Sequence, residues 1–347
     1  MPAMAPVYLS DARIWQGRTK RLVSPGMTTT IAHLTDVHLG PVAGFRPRYW
    51  NPKRGIGYIN WVRKRRYDHR REVLDRIVAD MAEQRPDHIA VTGDLANIGL
   101  PQEHIGALAW LKCLGAPERV TVVPGNHDIY SRLGRDPGTR RWEAYMTSDA
   151  AGHAFAGSNA DEPPFVRVIG SVALIGVNSA VPTPPMVAWG KVGSAQLARL
   201  AGILERLQGR GLFRLVLIHH PPLPGQADAA RGLRDAADLR AVLRHGAPEL
   251  VIHGHNHRNM FAWLVGASDA MGAGGRTAVI GAPSASLGRA RHGEALARYN
   301  LFRIGPAGSA ERWHVEMVGR GLARPDGPIV EVERRQLTFG PGPAISP

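Results

Sequence analysis

Short apolar runs alternate with stretches of helical periodicity through most of the chain. The runs are rich in valine and isoleucine, which is typical of strands that helices bury. The predicted strands are Thr30–Thr35, His88–Thr92, Val120–Val123, Val166–Ile169, Ala173–Val177, Arg214–Ile218, Leu250–Ile252, Ala278–Ile280, Tyr299–Arg303 and Trp313–Met317, with a possible further strand at Ile329–Val332. The predicted helices are Arg70–Glu83, Gln102–Leu114, Ala195–Leu207 and Ala236–Arg244, and Ser194 is the expected N-cap of the third.

The order of these elements indicates an α/β fold. Strands and helices alternate in the first half, whereas the later part has more strands with fewer helices between them. This arrangement predicts a core of two sheets with helices outside it. Residues 1–26 are expected to be a flexible leader, residues 27–319 the folded domain, and residues 320–347 a tail rich in glycine and proline. Residues 131–163 lack a clear period and are expected to form a loop or an insertion.

The composition is that of a globular protein. Hydrophobic residues make up 44% of the 347 residues and charged residues 21%, which excludes bulk disorder and a coiled-coil rod. No run of about 18 apolar residues is present, so a transmembrane helix is not expected. The single cysteine, Cys113, excludes an internal disulfide framework and a zinc site built from several cysteines. One cysteine also fits a reducing compartment, and a cytoplasmic location is therefore predicted.

The chain is strongly basic, because 43 lysines and arginines outnumber 29 aspartates and glutamates and give a net charge of +14. This charge favours anionic partners such as phosphorylated substrates, nucleic acid or an anionic membrane surface. An arginine-rich composition without any such partner is the alternative. The densest basic stretch is 49–71, where cations are opposed by Asp68 alone and are interleaved with aromatic residues such as Trp61. Peripheral contact with a membrane through this stretch is one hypothesis, and a solvated basic helix is the other.

Five polar clusters follow directly after apolar runs of the predicted strands. They are Asp36-Val-His38, Gly93-Asp94, Gly125-Asn126-His127-Asp128, His219-His220-Pro221 and Gly254-His255-Asn256-His257. Ligands of open α/β sheets bind at the carboxyl ends of the strands. The five clusters are therefore expected to converge on one cleft.

The clusters offer oxygen and imidazole donors without thiolates. The candidate metal ligands are Asp36, His38, Asp94, Asn126, His219, His255 and His257. Such a donor set suits Zn²⁺, Mn²⁺ or iron, and two ions about 3.5–4 Å apart can be held if one carboxylate bridges them. The D-x-H and H-x-H spacings are expected to turn both side chains to the same side of an extended segment. The glycines that precede Asp94, Asn126 and His255 are expected to allow close approach of the backbone.

The order of these motifs, D-x-H, G-D, G-N-H-D, H and G-H-x-H, resembles the calcineurin-like metallophosphoesterase superfamily from about Ile31 to His257. The resemblance implies a four-layer αββα sandwich of two mixed β-sheets flanked by helices, with a dinuclear metal centre at its edge. It implies two sets of ligands that share Asp94. The first set is Asp36, His38, Asp94 and His257, and the second is Asp94, Asn126, His219 and His255. Bacterial cyclic-nucleotide phosphodiesterases and glycerophosphodiesterases are the most similar members.

The predicted reaction is hydrolysis of a phosphate ester, above all a phosphodiester. Two cations lower the pKa of a bridging water from about 15.7 toward neutrality, and the resulting hydroxide attacks phosphorus. The resemblance implies that His127 faces the phosphate, where it would stabilise charge or protonate the leaving group. Asp128 is expected to orient a neighbouring histidine. The identity of the two ions, whether manganese, iron or zinc, stays open.

Three other functions remain as alternatives. They are a lipid-directed phosphohydrolase or pyrophosphatase that docks on a membrane, a nuclease that uses the positive charge, and a non-catalytic scaffold. The nuclease is disfavoured because no nucleic-acid-binding module is visible. His220 is a less favoured ligand than its neighbour His219, His33 and His253 are expected to be structural, and Asn97 is expected to cap a loop.

Overall fold

The computed structural model describes residues 28–340 except 133, 135, 268–274, 292 and 308–311. The expected leader, residues 1–26, lies outside the described residues. None of the helices found within these ranges has the length and the apolar composition needed to cross a membrane.

Twelve strands of the described chain form two six-stranded sheets. The first sheet has the order β12-β11-β10-β1-β2-β3 and the second the order β4-β5-β6-β7-β9-β8. The strands are β1 Thr29–Leu34, β2 His88–Val91, β3 Val120–Val122, β4 Phe165–Ile169, β5 Val172–Gly176, β6 Phe213–Leu217, β7 Leu250–His253, β8 Met260–Val265, β9 Arg276–Gly281, β10 Arg298–Pro306, β11 Trp313–Leu322 and β12 Ile329–Phe339.

Both sheets are mixed, and their parallel strands determine where the motif loops lie. Strands β1, β2 and β3 run parallel, as do β5, β6, β7 and β9, whereas β4, β8, β10, β11 and β12 pair antiparallel with their neighbours. The carboxyl ends of parallel strands meet at one edge of a sheet. The loops that carry the five polar clusters therefore leave the two sheets at such edges.

Helices cover the outer faces of the two sheets. The α-helices are α1 Pro52–Asn60, α2 Arg66–Asp68, α3 Arg71–Glu83, α4 Pro101–Leu114, α5 His153–Ala156, α6 Ser194–Arg206 and α7 Ala236–Gly246. A π-helical turn, Trp61–Arg65, joins α1 to α2, and short 3-10 helices lie at Pro47–Tyr49, Gly138–Tyr145 and Gly157–Asn159.

Three apolar layers hold these elements together. Side chains of α3 and α4, such as Ile77 and Trp110, pack on the outer face of the first sheet. Ile31 and Phe302 of the first sheet meet Phe213 and other residues of the second sheet in the layer between them. The apolar faces of α6 and α7 cover the outer side of the second sheet. The layers are therefore helix, sheet, sheet and helix, as predicted.

The structure departs from the sequence-based elements in several places. Helix α6 begins at Ser194, and Gly193 occupies its N-cap without a side-chain hydrogen bond, so the predicted N-cap is wrong. The stretch 131–163, expected to be a loop or an insertion, contains two 3-10 helices and α5, and its Trp142 is fully buried. The sheet also continues beyond residue 319, because β12 pairs with β11 from Ile329 to Phe339 with one irregularity at Gly319/Arg320. Part of the expected tail is thus the edge strand of the first sheet.

Candidate metal centre

The polar loops after β1, β2, β6 and β7 are joined by backbone hydrogen bonds. The loop after β1 continues the pairing with the loop after β2, since Asp36 N donates to Gly93 O at 2.9 Å and His38 N donates to Asp94 O at 2.9 Å. The second sheet is attached to the first at the same place, because His255 N donates to Asp36 Oδ2 at 3.0 Å. Loops from both sheets therefore build one site.

Five of the seven candidate ligands have a left-handed backbone. Their φ angles are 51° at Asp36, 41° at His38, 57° at Asp94, 73° at His255 and 53° at His257. This conformation costs a residue other than glycine about 1–3 kcal/mol, and such residues concentrate at functional sites. The expectation that D-x-H and H-x-H lie on extended segments is wrong, since β1 ends at Leu34 and β7 at His253. The turns after the strands aim these side chains instead.

Two of the motif glycines allow neighbouring loops of the site to lie very close to each other. A Cβ atom at Gly125 would overlap the carboxylate of Asp94, and one at Gly254 would overlap Thr35 and the carboxylate of Asp36. The clash at Gly125 also involves the backbone nitrogen of Asp94, so no side-chain rotation would relieve it fully. Close approach of the backbone at these glycines, as predicted, is a requirement of the local packing.

The first group of donors surrounds Asp36. His257 Nε2 lies 3.2 Å from Asp36 Oδ1 and 3.4 Å from His38 Nε2. His38 Nε2 is also 3.9 Å from Asp94 Oδ2. All four side chains are buried or nearly so.

The second group lies on the other side of Asp94. His219 Nε2 is 3.5 Å from Asp94 Oδ2 and 3.1 Å from Asn126 Oδ1. His255 Nδ1 lies 2.8 Å from the same amide oxygen. One oxygen atom of Asp94 thus stands between the two groups, and all seven candidate ligands are brought together in the fold.

Hydrogen bonds at Nδ1 determine the tautomers of two candidate ligands, His38 and His219. His38 Nδ1 contacts Ala96 O at 3.1 Å, and His219 Nδ1 contacts Thr92 O at 2.6 Å. A carbonyl oxygen only accepts, so each Nδ1 carries the proton and each Nε2 turns a lone pair into the site. Burial lowers the pKa of both histidines, which keeps them neutral. Neutral imidazoles with inward lone pairs are what a metal ion requires.

The carboxylates of Asp36 and Asp94 are buried next to each other, and this proximity shifts the pKa values of the groups around them. Burial, together with the neighbouring charge of Asp36, raises the pKa of Asp94 well above its usual range. Burial opposes ionisation of Asp36 as well, but His257 holds the pKa of that carboxyl well below its usual range. Burial alone would lower the pKa of His257, but its interactions with Asp36 and Glu294 are stronger and raise that pKa to about 9. Adjacent buried carboxylates with inward imidazoles fit divalent metal ions as their natural counter-charge.

His127 and Asp128 have different surroundings from each other. His127 Nδ1 makes a short hydrogen bond to Asn97 O, and its backbone N donates to Asp94 Oδ1 at 2.7 Å. The carboxylate of Asp128 accepts backbone N–H groups from four residues at 2.8–2.9 Å, namely Asp94, Leu95, Ala96 and Gly125. Asp128 therefore shapes the loops that carry the ligands, which differs from the expected orienting of a histidine side chain. Its backbone carbonyl, not its carboxylate, accepts from His104 Nε2.

The histidines interpreted as structural have partners of their own. His33 Nε2 contacts Thr92 Oγ1 at 2.8 Å. Both ring nitrogens of His220 are engaged, with Ser179 Oγ at 2.8 Å and Ala188 O at 3.2 Å, so this residue does not compete with His219. Asn97 Nδ2 donates to Leu39 O at 2.8 Å, which fits the predicted role in a loop.

A cavity of about 310 Å³ opens onto the donors, and several of its residues were not predicted. Asp94, Asn126, His127, His255 and His257 line it, and the unpredicted lining residues include Arg65, His69, Arg231 and Glu294. This volume is at the lower end of the range for small-molecule sites.

His69 is an unpredicted residue that lies beside the metal donors. Its ring nitrogen lies with those of His38 and His257 in one group whose atoms are all within 4.8 Å, and its Nδ1 contacts Ser286 Oγ at 2.9 Å. His69 and Arg65 both lie in the basic stretch 49–71, in which the sequence showed only a high positive charge and interleaved aromatic residues. Nothing in a lone histidine among arginines marks it as facing a cleft.

Comparisons with known proteins agree with this geometry. The family model of the calcineurin-like phosphoesterases matches residues 29–259. The chain is 27% identical over 255 residues to a cAMP/cGMP dual specificity phosphodiesterase of Mycobacterium tuberculosis, which covers 72% of this chain and 68% of that protein. It is 26% identical over 271 residues to a probable cyclic nucleotide phosphodiesterase of Synechococcus, which covers 75% of this chain and 82% of that protein.

Solved structures show the same fold at low sequence identity. A dimetal phosphatase from Danio rerio superposes with a TM-score of 0.57 at 14% identity, over 91% of this chain and 100% of that one. A purple acid phosphatase from yellow lupin gives a TM-score of 0.54 at 10% identity, over 91% of this chain and 55% of that one. The predicted sandwich is thus confirmed as a metallophosphoesterase fold. Since the family model covers most of the chain, the protein belongs to the calcineurin-like phosphoesterase family and is a metal-dependent phosphoester hydrolase.

Proposed function

We propose that this protein hydrolyses a phosphodiester at a centre of two divalent metal ions bridged by Asp94. Asp36, His38, Asp94 and His257 would hold one ion, and Asp94, Asn126, His219 and His255 the other. The observation that carries the proposal is the position of Asp94 Oδ2, which is 3.9 Å from His38 Nε2 and 3.5 Å from His219 Nε2. Manganese, iron and zinc all suit these donors.

Two bound ions would supply an activated water and neutralise charge on the phosphoryl oxygens. The residues of the chain then have separate tasks. Thr92 and Ala96 hold ligand imidazoles in the correct tautomer through their carbonyl groups. Asp128 fixes the loops of Asp94 and Asn126 through four backbone hydrogen bonds.

His127 is proposed to act on the leaving group. Its Nδ1 proton is directed to Asn97 O, so a proton delivered to the leaving oxygen has to come from Nε2 of an imidazolium. Burial and the nearby Arg65 hold the pKa of His127 well below its usual range in the protein without substrate. An anionic phosphate in the cavity would favour the protonated form, so protonation is coupled to substrate binding.

A diester is the proposed substrate class because the two phosphodiesterase relatives align over more than two thirds of this chain. Cyclic nucleotides are the first candidates. A panel assayed with Mn²⁺ tests this proposal. It comprises cAMP, cGMP, glycerophosphodiesters, bis-p-nitrophenyl phosphate, p-nitrophenyl phosphate and a lipid pyrophosphate.

We expect turnover of at least one diester to exceed that of the monoester, to disappear with a chelator and to return with added Mn²⁺. Faster turnover of the monoester would contradict the diester assignment, and turnover that survives complete removal of metal would contradict the metal centre. Preferred hydrolysis of the lipid pyrophosphate would favour the lipid-directed alternative.

Exposed apolar side chains support a second proposal, peripheral contact of residues 49–71 with an anionic membrane. Trp50 is 63% exposed, Ile59 52% and Tyr67 54%. The opposite face of α1 is occupied, because Tyr58 and Trp61 pack against the cluster around Ile98 and Tyr130. Exposed basic residues, Arg63 and Lys64, follow on the same segment. Exposed apolar and basic side chains on one segment suit the headgroup region of a bilayer.

Co-sedimentation with vesicles of phosphatidylglycerol and phosphatidylcholine tests the membrane contact. We expect the wild-type protein to sediment with these vesicles and Ile59→Asp to lose most of that binding, because it places a charge in the apolar contact. Ile105→Asp is the matched control, since Ile105 is also 52% exposed but lies on α4. Equal binding of both variants, or no binding by the wild type, would contradict the proposal.

A further inference from the structure

One arginine of the basic stretch points inward, to the metal donors. Arg65 is the last residue of the π-helical turn between α1 and α2, and it is half-buried whereas Arg63, Lys64 and Arg66 are exposed. Its Nη2 donates to His38 Nε2 at 3.0 Å, and its Nη1 donates to His127 Nε2 at 3.1 Å. The guanidinium thus spans a candidate metal ligand and the candidate acid, at the wall of the 310 Å³ cavity.

The partners of Arg65 differ from those of two buried arginines elsewhere in the fold, Arg214 and Arg298. Arg214 is buried and pairs with Glu249 at 2.9 Å, and Arg298 pairs with Glu333 at 2.7 Å. Such carboxylate partners neutralise a buried guanidinium. The hydrogen bonds of Arg65 go instead to lone pairs of neutral imidazoles, which leave its charge uncompensated by direct contact.

The segment that carries Arg65 is fastened at both ends. At its start, Asn51 Oδ1 caps α1 by accepting from Arg54 N at 2.9 Å, and Arg54 Nη2 donates to Gly99 O at 3.2 Å. At its end, His69 N donates to Arg65 O at 2.8 Å and Arg70 N donates to Ser286 O at 2.8 Å. The backbone that carries Arg65 is therefore held in place before a ligand binds, so little backbone freedom has to be lost on binding.

We propose that Arg65 binds the non-bridging oxygens of the substrate's phosphoryl group and thereby determines selectivity for anionic phosphoesters. The proposal rests on the proposed function, because a metal ion on His38 would take the lone pair to which Arg65 now donates. Nη2 would then be free to donate to another acceptor, and Arg65 lines a cavity that a phosphoryl group could enter. A planar guanidinium offers two parallel N–H donors to two phosphoryl oxygens, an arrangement that the ammonium group of lysine does not reproduce.

The test compares Arg65→Ala and Arg65→Lys with Arg48→Ala, a control at an exposed arginine that precedes α1. We expect Arg65→Ala to keep its metal content and to lower kcat/KM by about 10- to 100-fold, the effect of losing hydrogen bonds to a charged group. Binding of inorganic phosphate to the Mn²⁺-loaded protein, measured by calorimetry, should weaken by a similar factor. Arg65→Lys should recover only part of both quantities, and Arg48→Ala should match the wild type.

Each other outcome would overturn the inference in a recognisable way. Unchanged phosphate affinity in Arg65→Ala would show that the guanidinium does not contact the anion. Loss of metal in that variant would assign Arg65 to the architecture of the metal centre instead. Should the wild type hydrolyse none of the phosphoesters, the proposed function fails, and the phosphate affinities of metal-loaded wild type and variant still decide the role of Arg65.

Discussion

Replacing Asp94 with alanine is expected to leave less than one metal ion per chain and to lower turnover by about a thousandfold or more. Asp94 Oδ2 is the atom that lies between the two groups of donors, at 3.9 Å from His38 Nε2 and 3.5 Å from His219 Nε2. Removing it takes a ligand from both ions and leaves the remaining imidazoles without their shared anion. Asp36 lies 3.2 Å from His257 Nε2 and 3.9 Å from His38 Nε2 in the first group, and it reaches a ring nitrogen of His219 only within 4.8 Å.

Metal content by mass spectrometry and kcat on the best diester test this expectation together. Asp75→Ala is the control, because Asp75 is a partly exposed carboxylate on α3 that pairs with Arg71. Asp94→Asn adds a second comparison, since it keeps the volume of the side chain and removes the charge. Circular dichroism establishes that each variant is folded. Retention of both metal ions with most of the activity would refute the bridging role of Asp94.

Replacing His127 with alanine is expected to separate catalysis from metal binding. We expect two ions per chain to remain and kcat to fall by about 10²- to 10⁴-fold, the usual contribution of a positioned general acid. The ring of His127 belongs to neither group of donors. Its contacts include Asn97 O, the guanidinium of Arg65, the stacked ring of Tyr130, whose centroid is 5.3 Å away, and the ring of His38, which it meets edge-on at 5.1 Å.

Comparing two substrates with different leaving groups tests whether His127 protonates the leaving group. A diester with a p-nitrophenolate leaving group needs little protonation, so the variant should lose less activity on it than on a diester with an alkoxide leaving group. His153→Ala serves as the control, since His153 is 51% exposed and lies on α5. Loss of metal ions from His127→Ala with an unchanged rate per bound ion would make His127 a ligand and contradict its proposed role.

Most strands of the two sheets, and the helices that pack on them, could be predicted because their apolar patterns are strong. The predicted Arg70–Glu83 and the observed α3, Arg71–Glu83, differ by one residue, and the apolar positions Val73, Ile77 and Met81 supply the reason. Strand β8 gave no clear pattern, because its residues are only half-buried at the edge of the second sheet. Its neighbour β9 is fully buried over five residues and was predicted in part.

The chemistry of the candidate site could be predicted because short motifs carry it. Each motif keeps its donors within a few residues of one another, and the ends of parallel strands bring the motifs together without further information. The backbone of the motifs could not be predicted. Asp36 and His257 have left-handed φ angles in loops that meet across the two sheets, as in the hydrogen bond from His255 N to Asp36 Oδ2, and no local pattern in the sequence specifies such contacts.

The contribution of residues 49–71 to the cavity was beyond sequence reasoning for a different reason. Helix α1 is short, and Gly55 and Gly57 interrupt its apolar pattern. The direction of Arg65 depends on the π-helical turn that follows, since a regular helix would rotate that side chain to another side. Arg65 and His69 therefore became visible as site residues only in three dimensions.

Anomalous diffraction from crystals grown with Mn²⁺ can show whether two metal ions share Asp94. We predict two peaks about 3.5–4 Å apart, the separation of ions that share a bridging ligand, with the carboxylate of Asp94 between them. One peak should lie against Asp36, His38 and His257, and the other against Asn126, His219 and His255. A single peak, or two peaks without Asp94 between them, would contradict the two-metal centre.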